Sequence, residues 1–432
     1  MTSRSSSGSS SSSSSSSSTS TGGNDGVAWV SEPLTQWLHD VGDTADVRTL
    51  KPLRLLLPCA GWDAPSQALR ALRVPHQVVG AWDTSYSAAQ VLKRLHTGAT
   101  AQHLHLGKSG DVLDVQMRNL PDAECLVSGP PCPPFSKMGR GKAWEDPRAT
   151  VMLRIIKWIH YLSQKSLVCF VLENVEGILT KRGGGKSPCQ RIVSRLQHGL
   201  KGKWHIEVLR CNSLCTGQSR PRVYIVGFKH TKSQMLCKSA VHDTMPLLRQ
   251  ASAASIILPC LPNTDLTRLS AKQQHNVRHY IRIVRELPSK KPFAFCPIDR
   301  DPDKPFGSQI RIDGFCPCLR ASSGSERFFI VALGQRRPAV RRLLHAAEAC
   351  LLQGMSPSIV PPGMSRRAVF KGCGNAMTVP VIGVVLLTLI RCALPYLTSS
   401  SRSSSSSTSS GYSDSTSSDG SESHSGGSSS DS

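Results

Sequence analysis

A single cysteine stands between two pairs of prolines in the stretch SGPPCPPFS, residues 128–136. Proline fixes the backbone dihedral φ and lacks an N–H donor, so the stretch predicts a stiff, shaped loop and not a helix or an interior strand. Such a loop holds the Cys132 sulfur in place before a substrate arrives, and the basic segment KMGRGK at 137–142 favours its thiolate. Cys132 is therefore a candidate nucleophile, with a buried structural cysteine as the alternative.

Two further groups of polar residues lie beside predicted buried strands. Glu173 and Asn174 end the apolar run SLVCFVLENV, where Glu173 is either a proton donor with a raised pKa or a helix-capping acid. Arg220 and Arg222 precede the apolar run VYIVGF, and alternate residues of an extended segment point the same way. Both guanidinium groups are predicted to face one site and to bind phosphate or steady a carboxylate; a solvated pair is the alternative.

Strands and helices alternate around these residues. The runs LRLLLP, QVVGAW and SLVCFVL are typical of buried strands, and TVMLRIIKWIHYLSQ has the spacing of an amphipathic helix. This alternation predicts an α/β fold with a mostly parallel sheet and helices on both faces. Ligands of such sheets bind beyond the carboxyl ends of the strands, which is where the polar groups occur.

Composition divides the 432 residues into five segments. The serine-rich segments 1–45 and 398–432 are too polar to form a core, and we predict that both are disordered. Between them we predict a main α/β domain at 46–230, a smaller irregular domain at 231–345, and a return to the main domain at 346–397.

Charge, cysteine content and hydropathy limit the classes of partner and compartment that the sequence favours. Lys and Arg total 52 against 29 Asp and Glu, a formal charge of +23 that favours nucleic acid. The cysteine count of 15 is odd, so we expect free thiols in a reducing compartment. The close pairs Cys211 with Cys215 and Cys316 with Cys318 lack a second pair or a histidine pair at zinc-finger spacing, so we expect structural thiols and no metal. The apolar stretch 376–397 contains Pro380, Arg391 and Pro395, which favours a buried helix over a membrane span.

The motifs PPCPPFS, ENV, Q-x-R-x-R and GNAMTVP follow one another along this predicted sheet. The set resembles the cytosine-5 methyltransferases, which modify DNA or, in one branch, transfer RNA. The resemblance covers roughly residues 50–395. It implies a Rossmann-like S-adenosylmethionine-dependent methyltransferase fold, with 46–230 as the catalytic domain and 231–345 as the target-recognition domain.

The resemblance also implies a covalent mechanism. In it, Cys132 attacks carbon 6 of a cytosine flipped out of the stack, and Glu173 steadies the ring at nitrogen 3. Carbon 5 then takes a methyl group from S-adenosyl-L-methionine, and loss of the proton on carbon 5 releases the enzyme. Arg222 would hold the base and the acid, with Arg220 in the same motif, and Asn174 would support the cysteine loop.

The cofactor residues depart further from the family pattern. The first loop, LLPCAGWDAP, keeps Gly61 but has Cys59 and Trp62 where the family has glycines. The second strand ends in AWD, which puts Ala81 at the position of the family's ribose-binding glutamate. The resemblance implies four further contacts with S-adenosyl-L-methionine. Trp82 would lie on the adenine and Asp111 would contact its amino group. Asp83 would replace the missing glutamate, and Asn375 would lie at the methionine end.

Three functions therefore stay open. The first is an active DNA cytosine-5 methyltransferase acting in the nucleus, or in an organelle. The second is a transfer-RNA methyltransferase of the same fold, which the compact chain favours. The third is a nucleic-acid-binding relative without catalysis, which the altered loop at 58–65 and Ala81 favour. The segment PCLRASSG at 317–324 has Leu319 and Arg320 where the family usually has threonine, a departure that concerns how the target strand is held.

Overall fold

The computed structural model describes most of the chain between the serine-rich segments. The described residues are 45–135, 143–181, 185–200, 204–230, 248, 250–258, 261–287, 292–303, 310–321, 327–333 and 340–399. Of the segments 1–45 and 398–432, which the sequence predicts to be disordered, all residues except Ala45, Thr398 and Ser399 lie outside these ranges. The basic segment 137–142 also lies outside them.

A seven-stranded sheet organises the described part of the main domain. Its strands are β1 (Leu53–Pro58), β2 (His76–Asp83), β3 (Leu104–Leu106), β4 (Cys125–Ser128), β5 (Cys169–Val175), β6 (Trp204–Asn212) and β8 (Pro221–Lys229). The short strand β7 (Gln218–Ser219) lies outside this sheet. The order is β3-β2-β1-β4-β5-β8-β6. Strands β1 to β5 pair in parallel, whereas β8 runs antiparallel to both of its neighbours. The mostly parallel sheet predicted from the sequence is confirmed.

Helices cover both faces of this sheet. The helices of the described residues are α1 (Ala45–Arg48), α2 (Ala64–Ala71), α3 (Tyr86–Leu95), α4 (Ala149–Ser163), α5 (Pro188–Gly199), α6 (Ala271–Glu286), α7 (Ala346–Leu351), α8 (Arg366–Asn375) and α9 (Val379–Ser399). Of these, α6 packs on a second sheet instead. Alternate residues of β5 show the two faces, since Phe170 packs with α4 and α5 while Val171 packs in the core that holds α2 and α9. The apolar run of β5 is therefore buried on both sides, as the sequence pattern requires.

Helix α9 is the apolar stretch that resembles a membrane span in length and composition. Its most apolar window of 18 residues has a mean hydropathy of 2.2, and 89% of that window is buried inside the protein. The helix packs against α2 and β8. It has the surroundings of a core helix, which is what Pro380, Arg391 and Pro395 favour.

A second sheet lies within the segment 231–345. It is formed by β9 (Phe293–Pro297), β11 (Phe328–Ala332) and β12 (Arg341–Leu343), in the order β12-β11-β9, with β10 (Cys316–Pro317) outside it. Helix α6 packs on this sheet around Val277 and Tyr280. Strand β10 pairs in parallel with β7, so that Cys316 lies opposite Gln218 and the second domain is joined to the Q-x-R-x-R segment.

A buried ion pair holds the second domain to the returning chain. Arg342 on β12 donates from Nη2 to Oε1 of Glu348 on α7 at 2.6 Å, and from Nη1 to Oε2 at 2.9 Å. The two residues are 2% and 0% exposed. Glu348 also accepts the N–H of Leu258 at 2.8 Å and that of His345 at 2.7 Å, so all the carboxylate charge is compensated by donors.

Candidate active site

The proline loop leaves β4 at the carboxyl edge of the sheet and carries Cys132. Asn174, at the end of the neighbouring β5, donates from Nδ2 to the carbonyl oxygen of Pro130 at 3.3 Å. A turn closes on the other side, where the N–H of Phe135 donates to the carbonyl of Cys132 at 2.9 Å. Asn174 is 2% exposed, so the loop is tied to a fixed point of the core. Asn174 thus sits where a support for the cysteine loop is expected.

Glu173 and Arg222 form an ion pair across β5 and β8. The antiparallel register sets Glu173 opposite Tyr224 and Val175 opposite Arg222, which makes Glu173 and Arg222 diagonal neighbours within reach of long side chains. The Nε of Arg222 lies 3.0 Å from Oε1 of Glu173. Burial raises the pKa of the Glu173 carboxyl, and the positive charges of Arg222 and Arg220 offset part of that rise.

The thiol of Cys132 shares this electrostatic environment. Burial raises the pKa of Cys132, the Glu173 carboxylate raises it further, and Arg222 and Arg220 lower it. Because a charged Glu173 disfavours the thiolate of Cys132, a protonated carboxyl at Glu173 favours a reacting sulfur beside it. That is the protonation pattern of an acid and a nucleophile acting on one ring.

Arg220 has a different role from Arg222, although both lie on the Q-x-R-x-R segment. It is 2% exposed, and its Nη2 donates to the carbonyls of Gly374 at 2.9 Å and Ala376 at 2.8 Å. Its Nη1 donates to the carbonyl of Leu319 at 2.7 Å. Arg220 therefore fastens the segment after β10 to the GNAM loop, which excludes a solvated arginine at this position.

Both guanidinium groups nevertheless meet at one atom. The Nη1 of Arg220 lies 3.6 Å from the Sγ of Cys318, and the Nη2 of Arg222 lies 3.7 Å from the same sulfur. Sequence reasoning missed Cys318, because its spacing from Cys316 suggested only a structural pair of thiols. Among the described residues no cluster of histidine, cysteine and acidic side chains is arranged to hold a metal ion.

A crevice opens beside the cysteine loop, between the first loop and the end of α8. Its lining includes Gly61, Gly129, Asn375 and Met377. Gly61 has a φ of 58°, in the left-handed region that favours glycine, and nothing lies within 4 Å of the position its Cβ would take. Asn375 is exposed at the end of α8. The crevice thus brings Gly61 and Asn375 together, with free space above the backbone of the loop.

Two carboxylates act on the first loop, which forms one side of the crevice. Asp83 accepts the N–H of Gly61 at 2.8 Å on Oδ2 and that of Ser85 at 2.8 Å on Oδ1. Burial raises the pKa of Asp83 and of Cys59, and the pKa of Cys59 is raised further by the negative charges of Asp83 and Asp111. Asp83 and Asp111 therefore converge on the first loop. Each Asp83 oxygen keeps a lone pair that can accept a hydroxyl hydrogen.

Trp62 explains how the first loop tolerates the loss of a glycine. The indole is 1% exposed, and a Cβ added to Gly372 of α8 would lie 2.2 Å from its ring. The missing side chain at Gly372 provides the space for the tryptophan at position 62. The altered loop is therefore packed as a unit with α8.

Trp82 does not line the crevice described above. It is 3% exposed, and its ring stacks on His105 with centroids 4.6 Å apart and planes inclined by 10°. The edge of Trp158 on α4 approaches at 5.1 Å. Ala81 is fully buried in the core on the opposite face. The resemblance expects Trp82 to lie on the adenine, whereas the structure shows one face of its ring covered by His105.

Comparison with known proteins matches these features to a family. Residues 60–391 match the family model described as C-5 cytosine-specific DNA methylase. Type II methyltransferase M.SsoII of Shigella sonnei is 25% identical over 283 residues, which is 65% of this chain and 67% of that protein. Orphan methyltransferase M.SPRI of Bacillus phage SPR is 27% identical over 177 residues, which is 41% of this chain and only 38% of that protein.

The fold has a counterpart among solved structures. The S. pombe Dnmt2 methyltransferase superposes with a TM-score of 0.55 at 14% identity, over 78% of this chain and 98% of that one. This likeness confirms the α/β methyltransferase fold. The family match extends from the first loop into α9 and contains the proline loop, the Glu173–Arg222 pair and Asn375. The chain belongs to the C-5 cytosine-specific DNA methylase family.

Proposed function

We propose that this chain is a DNA cytosine-5 methyltransferase that uses S-adenosyl-L-methionine. The observation that carries the proposal is the contact between Glu173 and Arg222 beside Cys132, held on a loop that Asn174 ties to the core. These groups are an acid, a cation and a nucleophile on the carboxyl edge of one sheet, which is the set that addition to a cytosine ring requires.

The residues of the crevice fit the cofactor. Gly61 and Asn375 would hold the methionine end, and Asp83 and Asp111 would accept hydrogen bonds from the adenosine. When bound, S-adenosyl-L-methionine supplies an electrophilic methyl group. The open space above Gly61 and the free lone pairs of Asp83 support this assignment, and they count against loss of binding through Ala81.

The protein groups then act on the base. Cys132 gives up its proton and its sulfur adds to carbon 6, while the protonated carboxyl of Glu173 donates a hydrogen bond at nitrogen 3. Arg222 holds Glu173 in orientation through Nε. As the sulfur adds, electron density moves to carbon 5, which becomes the nucleophile for the methyl group. Transfer of the proton on carbon 5 to solvent expels the sulfur as a thiolate, which takes up a proton and restores Cys132.

Nucleic acid as the substrate is supported by charge. The formal charge is +23, and helix α6 of the second domain exposes a row of basic side chains, namely Lys272, His275, Arg278, Arg282 and Arg285. Arginine and lysine neutralise phosphates and release counterions, so binding weakens as salt is added. A DNA substrate also leads us to propose the nucleus as the compartment, which imaging of the tagged full chain tests.

The test is transfer of labelled methyl groups to duplex DNA and to transfer RNA in parallel, with Cys132→Ala as the control. We expect label in the cytosines of DNA and none with the variant. Label in RNA alone would replace the proposal by the transfer-RNA methyltransferase. Binding of DNA without transfer to either substrate would overturn catalysis in favour of a binding protein.

A further inference from the structure

A second thiol lies next to the catalytic pair. Cys318 follows β10 in the second domain and is half-buried, whereas the nearby Cys316 is fully buried. Its Sγ is in contact with Nη1 of Arg220 and Nη2 of Arg222. The Nε of the same Arg222 lies on Glu173, so one guanidinium bridges the thiol and the acid.

The arginines change the chemistry of this thiol. Burial raises the pKa of Cys318, but Arg220 and Arg222 outweigh that effect and the pKa is lowered from its ordinary value. Cys215 is half-buried as well and lacks such neighbours, and burial raises its pKa to about 12. The reactivity of a cysteine depends on its thiolate fraction and on its access to solvent. Cys318 and Cys215 are similar in burial and differ in thiolate fraction, so Cys215 is an internal control for Cys318.

A second observation concerns the same Arg220 guanidinium. Arg220 is 2% exposed, and its Nε–H has no hydrogen-bond partner among the described residues. A buried charged group favours strong acceptors, and an oxygen bonded to Sγ would offer one to Nη1 of Arg220 and to Nη2 of Arg222. Sulfur is a weak acceptor by comparison.

We propose that Cys318 is a modification site, oxidised by hydroperoxides to the sulfenic acid, and that its oxidation switches off methyl transfer. The thiolate sulfur attacks one oxygen of hydrogen peroxide, an S–O bond forms and the O–O bond breaks. The leaving hydroxide takes a proton from solvent, so that sulfur is oxidised and the peroxide is reduced to water. Two equivalents of an added thiol return the sulfenic acid to the thiol, with release of water and a disulfide of the reductant.

The switch acts through Arg222. An oxygen on Sγ accepts a hydrogen bond from Nη2 of Arg222 and competes with Glu173 for the same guanidinium. Glu173 then loses the orientation that it needs at the base. This consequence rests on the proposed methyltransferase function, whereas the reactivity of Cys318 does not.

Reactivity is tested on the full chain without nucleic acid or cofactor. The protein is treated with limiting hydrogen peroxide and a dimedone-type trap, and site occupancy is measured by peptide mass spectrometry. We expect at least about tenfold more trapped sulfenic acid at Cys318 than at Cys215, in the wild type and in Cys132→Ser. Equal occupancy at the two cysteines would overturn the proposal, whether or not the protein is a methyltransferase.

The switch is tested by activity after peroxide, with each variant normalised to its own untreated sample. We expect the wild type to lose most of its methyl transfer and to regain it with dithiothreitol, and Cys318→Ser to keep a larger fraction. Equal inactivation of the two would assign the sensitivity to another thiol and overturn the switch. An enzyme without activity in any sample would contradict the proposed function and with it the switch, while the trapping result would still decide the reactivity.

Discussion

The Nε of Arg222 lies 3.0 Å from Oε1 of Glu173, across two antiparallel strands. The register of β5 and β8 sets this distance, and neither residue sits on a mobile surface, since their side chains are 13% and 9% exposed. The acid of the site is therefore positioned by the sheet itself.

Arg222→Lys keeps the charge but removes the planar Nε donor. We expect kcat for methyl transfer to fall by about 100-fold, because a preorganised donor at the reacting centre has about that effect. Steady-state kinetics with saturating DNA measures the change. Arg191 on the outside of α5 is a control, and Arg191→Lys should leave kcat unchanged. An Arg222→Lys enzyme with normal kcat would show that the ion pair does not orient the acid.

Glu173 gives the unfolding free energy a pH dependence. Its pKa is raised in the folded state above the ordinary 4.5, so the folded protein holds this proton more tightly than the unfolded chain. The stabilisation is complete below pH 4.5 and is lost as pH rises towards the folded pKa. We expect the free energy of unfolding of the wild type to fall relative to Glu173→Gln over that window. Denaturant titrations between about pH 4 and 8 measure it, and parallel curves would contradict a raised pKa.

Removing one partner of the Arg342–Glu348 pair leaves a buried charge uncompensated. Arg342→Met should lower the free energy of unfolding by about 3–5 kcal/mol, and the further change Glu348→Leu should recover part of the loss. The exposed pair of Arg268 and Asp265 is the control, and Arg268→Ala should cause no measurable loss. Urea denaturation of the wild type, the two Arg342 variants and Arg268→Ala measures these changes. Equal losses of unfolding free energy for Arg342→Met and Arg268→Ala would contradict the prediction.

Gly372→Ala should destabilise the protein by roughly 1–3 kcal/mol, because the added Cβ meets the ring of Trp62 at 2.2 Å. In a Trp62→Leu background the same change should have a smaller effect, since the obstructing ring is gone. Gly185→Ala is the matched control, where the nearest atom to the new Cβ is 3.7 Å away. Additive losses for Trp62→Leu and Gly372→Ala would show that the two positions are not coupled.

The sequence predicts the elements better than it predicts the contacts between them. Continuous apolar runs identify β1, β2 and β5, and the sequence motifs beside the strands place Cys132, Glu173 and Asn174 on one edge, as the structure shows. The role of Arg220 was not predictable, because its partners Leu319, Gly374 and Ala376 are 99, 154 and 156 residues away along the chain. The spacing of residues on a strand predicts which way a side chain points. Whether its guanidinium is buried depends on carbonyl groups that lie far away along the chain.

Cys59 and Trp62 in the first loop also show that local sequence patterns do not predict contacts with distant residues. Cys59 and Trp62 look like damage to a glycine-rich loop when they are compared with a family pattern. Packing shows that Trp62 fills the space beside Gly372, more than 300 residues later in the chain. Local pattern reasoning has no means of pairing two such positions.

The placement of α9 has a consequence for synthesis on the ribosome. This helix packs against α2 and β8, and Leu386, Leu389 and Ile390 are fully buried in the core that also contains Leu55 and Leu69. Part of one face of the sheet therefore stays uncovered until α9 has left the exit tunnel. During that interval the nascent chain exposes apolar strands, which are the surfaces that chaperones bind and that aggregate when left alone. A messenger truncated ahead of Val379 would yield a chain that retains every catalytic side chain named above and still lacks a folded site.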